Sequence, residues 1–187
     1  MTCDHAKHRR RSIRLKGYDY SRKGAYFVTI CTNQKECVLG CVENGSMVLN
    51  EIGQMVRKAW TELPTHYAGV DIDEFVVMPN HLHGIIILNV GAGPRACPEN
   101  KGQPQGVAPT KTLSLSDVIQ RFKSLTIKRY GNGVRRNNWE PFEKHFWQRN
   151  YYEHVVRNED DLNEIREYVI NNPLKWELDG ENPDNRL

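Results

Sequence analysis

Two histidines, His81 and His83, lie in the most hydrophobic stretch of the sequence, which runs from Glu74 to Leu88. In an extended strand, residues two apart point to the same face, so the two imidazole rings point the same way. Burying two polar rings is costly unless they are hydrogen-bonded or hold a cation, and neutral imidazole is a common metal ligand. The spacing therefore indicates a metal site, and the alternative is a pair of structural histidines with hydrogen-bond partners.

The strand that carries these histidines is predicted to be central in a sheet. Apolar residues continue on both of its faces from Gly84 to Leu88, which is typical of a strand covered on both sides. Residues 70–78 form a second predicted strand, and Pro79 and Asn80 make the turn between the two. The pair should therefore be antiparallel.

Periodicity and turn residues predict the remaining elements. A strand covers residues 24–32, a hairpin with an Asn-Gly turn joins residues 37–42 to 46–49, and helices cover residues 51–63, 114–130 and 159–172. Pro64, the stretch from Gly131 to Gly133, and Pro173 are predicted to end the three helices. This order predicts an α+β domain.

Size and composition fit one cytoplasmic domain. A chain of 187 residues with 39% hydrophobic content can fill one core and is short for two. Its longest apolar run is far below the roughly 20 residues that a bilayer requires, so no membrane partner is expected. The basic N-terminus is not followed by an apolar signal region. Five cysteines without a framework spacing fit reduced thiols.

Positive charge is concentrated in two segments, although the net charge is only +3. Residues 1–23 carry eight Lys/Arg against two acids, residues 116–149 carry eight against three, and residues 158–187 carry three against nine. This distribution is typical of a polyanion-binding protein, and the alternative is a solvated tail and a solvated helix face. The predicted DNA contacts are Arg9, Arg10, Arg11, Arg14, Lys16, Arg121, Lys123, Lys128, Arg129 and Arg149.

The expected organisation is a basic arm over residues 1–23, one domain over residues 24–176 and an acidic tail over residues 177–187. A Gly/Pro-rich flexible loop is expected at residues 91–112. Between Trp139 and Arg149, aromatic and cationic residues alternate. Such a pattern is found where proteins stack bases and neutralise phosphates, but aromatic clusters also build cores, and both interpretations stay open.

Three motifs in order resemble one known family. They are Val76-Val-Met-Pro-Asn-His-Leu-His-Gly84, then Phe146-Trp147 with His154, and finally Tyr168-Val-Ile-Asn-Asn-Pro173. Together they resemble the REP-associated tyrosine transposases, relatives of the bacterial insertion-sequence transposases with an HUH motif, over nearly the whole chain from Tyr18 to Trp176. The resemblance implies a ferredoxin-like antiparallel sheet with helices packed on one face.

The resemblance also implies metal-dependent cleavage and joining of single-stranded DNA with hairpin structure, as in DNA transposition, through a 5′-phosphotyrosine intermediate. His81 and His83 match the HUH metal ligands, Tyr168 matches the nucleophile, and Asn172 matches the polar third ligand one turn beyond it. The implied ion is Mg²⁺ or Mn²⁺. The implied protein is a monomer or homodimer of the bacterial cytoplasm, associated with the nucleoid.

The chemistry requires an activated tyrosine, because only about one phenol in a thousand is ionised at neutral pH. Tyr130, Tyr151 and Tyr152 are competing candidates, but Tyr168 has an amide one turn away and lies on a predicted helix. Two other functional classes remain open at this point. One is a non-catalytic DNA-binding descendant of the same fold, and the other is a metal-dependent hydrolase that uses water, for which Tyr168 is dispensable.

Overall fold

A computed structural model describes Leu15, residues 17–89 and residues 113–185 of the chain. The expected loop at residues 91–112 therefore lies outside the described residues. So do the predicted DNA contacts Arg9, Arg10, Arg11, Arg14 and Lys16. Among the described residues, no helix is long and apolar enough to cross a membrane.

The described chain forms six strands, four α-helices and three short 3-10 helices. The strands are β1 (Gly24–Cys31), β2 (Gly40–Glu43), β3 (Ser46–Leu49), β4 (Val70–Val77), β5 (His81–Leu88) and β6 (Tyr152–Val155). The α-helices are α1 (Glu51–Thr61), α2 (Leu63–His66), α3 (Leu115–Arg136) and α4 (Glu159–Asn171). The 3-10 helices are Asn33–Lys35, Pro173–Leu178 and Pro183–Asn185.

Four strands build the main sheet, in the order β4-β5-β1-β6, and every neighbouring pair is antiparallel. The predicted antiparallel sheet with packed helices is confirmed, and the histidine strand β5 is central as predicted. The short strand β6 was not predicted. The strands β2 and β3 form a separate hairpin, whose turn residues Asn44 and Gly45 both have positive φ, as an Asn-Gly hairpin turn requires.

The sheet face away from the histidines carries the main core. Leu82 and Ile86 of β5 pack there with Trp60 of α1 and Phe122 of α3. Gly84, which follows the two histidines, allows Trp60 of α1 to pack directly on β5. A Cβ atom at this position would lie 2.5 Å from a ring carbon of Trp60. Any larger residue would push α1 away from the sheet.

Helix α4 packs on the opposite, histidine-bearing face of the sheet. Its predicted stripe of Leu162, Ile165 and Val169 contacts Phe27 and Ile85 there. The expectation that the helices share one face was therefore wrong for α4. Because its apolar stripe is narrow, α4 covers only part of the histidine face and brings its polar residues to the histidines.

Two predicted helix ends were also wrong. Helix α3 continues through Gly131 and Gly133 to Arg136, because the ring of Trp139 lies directly on Gly133, where a Cβ atom would be 2.2 Å from it. This contact compensates for the low helix propensity of glycine. Pro64 does not end α1 but lies in the first turn of α2, a position that tolerates a missing N–H.

The aromatic segment after α3 belongs mainly to the core. Phe146 and Trp147 are buried, and their rings pack against each other with centroids 4.6 Å apart. The indole N–H of Trp147 donates to the hydroxyl of Thr126 at 2.8 Å. Of the two interpretations that the sequence left open for this segment, the core packing of these rings is the one that the structure supports.

Candidate metal and nucleophile site

The side chains of His81 and His83 point into the same site, where their Nε2 atoms are 2.9 Å apart. Both residues are almost completely buried, with 0% and 3% of their surface exposed. Burial lowers the pKa of His81 to about 3 and that of His83 well below its ordinary value. Both imidazoles are therefore neutral at physiological pH, which is the form that binds metal ions.

Asn80 fixes the tautomer of His81. Its amide nitrogen donates to the carbonyl oxygens of Lys35 at 3.0 Å and Glu181 at 2.8 Å, so its amide oxygen must face Nδ1 of His81, at 2.8 Å. That oxygen can only accept, and Nδ1 of His81 therefore carries the proton. The lone pair of His81 is consequently on Nε2, which faces His83.

Thr29 is a hydrogen-bond partner of His83. Its hydroxyl lies 2.8 Å from Nδ1 of His83, and the two residues are direct partners across β1 and β5. A hydroxyl can donate or accept, so Thr29 supports both tautomers of His83. In the tautomer with the proton on Nε2, His83 donates to Nε2 of His81. In the tautomer with the proton on Nδ1, Nε2 of His83 carries a lone pair, so both histidines offer a lone pair to a cation between them.

Tyr168 reaches the histidines from α4. Its hydroxyl lies 3.2 Å from Nε2 of His83, and its ring packs edge-on against Phe27 with centroids 5.9 Å apart. Burial, followed by the negative charge of Asp179, raises the pKa of Tyr168 above its ordinary value, whereas a hydrogen bond from Asn172 lowers it. The phenol is thus protonated at neutral pH and needs an activating group before it can attack.

Two oxygen-bearing side chains, Asp179 and Asn172, are the candidates for completing a metal site. Asp179 offers a carboxylate oxygen that lies, with one nitrogen from each histidine, in a group of atoms within 4.8 Å of one another. Asn172, the ligand predicted from sequence, is 2% exposed, and its amide oxygen has no hydrogen-bond partner among the described residues. A buried amide oxygen without a partner is unusual, and a cation would satisfy it. The donor set therefore fits a divalent ion.

The predicted DNA contacts within the described residues differ in their surroundings. Nζ of Lys123 donates to the carbonyl oxygens of residues 148, 149 and 150, and Arg129 forms an ion pair with Glu62. Arg121 lies over the ring of Tyr67, 4.9 Å from its centroid, and is solvent-exposed, as are Lys128 and Arg149. DNA contact by this set stays a prediction.

Sequence reasoning missed three residues of the site. Asp179 was assigned to an acidic tail, and no local pattern marks it, because its position depends on the chain folding back over the sheet. Asn80 was assigned only to a turn, and Thr29 only to a strand. A search for polar residues that pair across strands with His83 could have found Thr29 once the register was known.

Comparisons with known proteins identify a related protein and a solved structure with a similar fold. No protein-family model matches the sequence. An uncharacterised protein of Haemophilus influenzae is 43% identical over 176 residues, which cover 92% of each chain. The solved structure of a REP-associated tyrosine transposase bound to a REP hairpin has a TM-score of 0.55 and 22% identity, and the match covers 87% of this chain and 73% of that one. At this identity, the likeness establishes the fold.

Proposed function

We propose that this chain, which belongs to the same protein family as the Haemophilus influenzae protein and has the fold of a REP-associated tyrosine transposase, cleaves and rejoins single-stranded DNA. One observation carries the proposal: the Tyr168 hydroxyl lies 3.2 Å from His83, whose Nε2 atom lies 2.9 Å from that of His81. A nucleophile and two neutral metal ligands thus meet at one point. The transposase of known structure was bound to a REP hairpin, which supports hairpin DNA as the substrate class.

Tyr168 is the proposed nucleophile. Its Oη atom attacks the scissile phosphorus, and the bond from phosphorus to the 3′ oxygen breaks. The phenol loses its proton, and the 3′ oxygen leaves with a proton as a hydroxyl group. The products are a 5′-phosphotyrosine and a free 3′-hydroxyl, so the energy of the phosphodiester is retained and the reverse reaction can join strands.

His81 and His83 are the proposed nitrogen ligands of a divalent cation, Mg²⁺ or Mn²⁺, with an oxygen from Asn172 or Asp179. Such an ion, when bound, polarises the phosphate and lowers the cost of forming the phenolate. Oxygen ligands suit Mg²⁺ and Mn²⁺, whereas two imidazoles alone favour softer ions. Asn80 and Thr29 orient the two imidazoles, a role that strongly affects metal affinity in other proteins.

The remaining residues of the site act on Tyr168 directly. The hydrogen bond from Asn172 favours the phenolate, because it lowers the pKa that burial raises. The edge-on packing of the Tyr168 ring against Phe27 limits its rotation, so the hydroxyl stays beside His83. A fixed nucleophile loses less entropy in the transition state than a mobile one.

The test is a search for a covalent adduct between the protein and labelled hairpin DNA with single-stranded flanks, in the presence of Mn²⁺. We expect an adduct with the wild-type chain, loss of the adduct with unchanged DNA affinity in Tyr168→Phe, and retention of the adduct in Tyr151→Phe and Tyr152→Phe. Peptide mapping should find the nucleotide on Tyr168. Cleavage without an adduct in Tyr168→Phe would instead identify a water-dependent hydrolase, and DNA binding without cleavage in the wild type would identify a non-catalytic binding protein.

A further inference from the structure

A cavity of about 630 Å³ opens beside Tyr168 on the histidine face of the sheet. This volume lies within the range of about 300 to 1,000 Å³ that is typical of small-molecule sites. Phe27 and Thr29 of β1 line it together with residues of β6 and α4 and of the turn from Asp179 to Glu181. Whatever occupies this cavity lies directly beside the Tyr168 hydroxyl.

Four carboxylates line the cavity, and three of them already have partners in the structure. Asp161 accepts from Nε2 of His154 with both oxygens in reach, Glu181 forms an ion pair with Lys35, and Asp179 accepts from the backbone N–H of Glu181 at 2.7 Å. Glu164 is the fourth, and it makes no hydrogen bond or ion pair within the described part of the chain. It lies on α4 one turn before Tyr168, so the two side chains are neighbours on the helix surface.

Tyr152 also lines the cavity. It is 46% exposed, and its ring packs against Phe27 at a steep angle with centroids 6.3 Å apart, so much of the ring is accessible to an incoming planar group. An exposed aromatic ring and a free carboxylate are together suited to a nucleobase, which stacks on the ring and donates from its edge. Directly beside the Glu164 carboxylate a phosphate is disfavoured, because like charges repel.

We propose that this cavity binds one unpaired nucleobase of the DNA strand next to the cleaved phosphodiester. Tyr152 stacks on the base, and Glu164 accepts a hydrogen bond from its exocyclic amino group. Adenine, cytosine and guanine carry such a group, and thymine does not, so the cavity selects against thymine. The identity of the ligand as a DNA strand rests on the proposed function.

The first test detects base stacking without cleavage. The Tyr168→Phe protein is mixed with hairpin DNA whose single-stranded flank carries 2-aminopurine at one position at a time. We expect strong fluorescence quenching at one position, retention of this quenching when Tyr152→Phe is added, and its loss with Tyr152→Ala. No quenched position, or quenching that is unchanged by Tyr152→Ala, overturns the proposal.

The second test addresses the carboxylate at the quenched position. Strands with adenine there should bind about tenfold more tightly than strands with thymine, near the low end of the roughly 5- to 150-fold discrimination that a good polar contact to a base provides. Glu164→Ala should remove this preference, because alanine has no hydrogen-bond acceptor in its side chain. The matched variant Glu167→Ala, at an exposed position of the same helix, should keep it. An unchanged preference in Glu164→Ala overturns the role of this residue.

The two proposals can fail separately. If wild-type protein forms no covalent adduct but Tyr152-dependent quenching occurs at one position, the base site stands and the strand-transfer function falls. If the adduct forms on Tyr168 but no position is quenched, the function stands and the base site falls.

Discussion

Thr29 is the residue that allows His83 to change its tautomer. Its hydroxyl can accept from Nδ1 of His83, which leaves Nε2 of the histidine free for a cation, and it can also donate to Nδ1. Valine has nearly the same shape as threonine but has no hydroxyl, so it can neither accept from nor donate to Nδ1 of His83. Thr29→Val should therefore weaken Mn²⁺ binding by about tenfold or more, as loss of an outer hydrogen bond does in other metal sites.

Calorimetric titration with Mn²⁺ measures this effect. Thr29→Ser keeps the hydroxyl and should bind Mn²⁺ almost as tightly as the wild type, whereas His83→Ala should bind it far more weakly than either. Thermal unfolding of each variant separates loss of the site from loss of the fold. Equal affinities for Thr29→Val and Thr29→Ser would show that the Thr29 hydroxyl has no influence on metal binding.

The position of α4, and with it that of Tyr168, depends on an irregularity in β4. Asp73 and Glu74 lie in a bulge between Ile72 and Phe75, so two residues oppose one residue of β5. The bulge keeps Phe75 on the core face with Trp60. It also directs Asp73 to α4, where its two oxygens accept from Nε and the terminal NH2 of Arg166 at 2.9 and 2.6 Å.

Asp73→Asn should lower the rate of adduct formation by about tenfold without changing DNA affinity, because a misplaced nucleophile costs rate rather than binding. Hydrogen bonds from Arg166 hold the pKa of Asp73 below its ordinary value of 3.8, so the pair is charged in a neutral assay and is lost only as the pH falls below that value. The matched control is Glu159→Gln, since Glu159 contacts the same Arg166 from an exposed position. Equal rates in the two variants would contradict a positioning role for Asp73.

The sequence predicted those parts of the site that depend on local periodicity. Alternation placed both histidines on one strand face, and helical spacing placed Tyr168 beside Asn172. The bulge at Asp73 could not be predicted from a local pattern. It arises because the side chain of Phe75 must lie on the core face of the sheet. Asp179 was not predictable either, because it reaches His81 through turns and contacts far apart in the sequence. Local signals thus identified the strand and the helix, and tertiary packing decided what else joins them.

At the scale of the whole molecule, positive charge should guide DNA to the site. The structure divides the predicted contacts on α3 into two kinds. Lys123 and Arg129 donate to oxygen atoms of the protein, whereas Arg121, which lies over the ring of Tyr67, and Lys128 are solvent-exposed and do not. Only a cation that approaches phosphate releases counterions from the DNA. Arg121 and Lys128 should therefore account for most of the salt dependence that α3 contributes.

Replacing Arg121 and Lys128 together with glutamine should lower the slope of log affinity against log salt by roughly 1.4 to 1.8, the range for two phosphate contacts on single and double strands. The matched control replaces Arg57 and Lys58, two exposed cations on α1, and so changes the net charge equally. If both double variants lower the slope by the same amount, DNA responds only to the total charge. If only the α3 variant has a reduced slope, the DNA backbone lies along α3. Counterion release depends on the number of cations that contact phosphates and not on cations that stay in solvent.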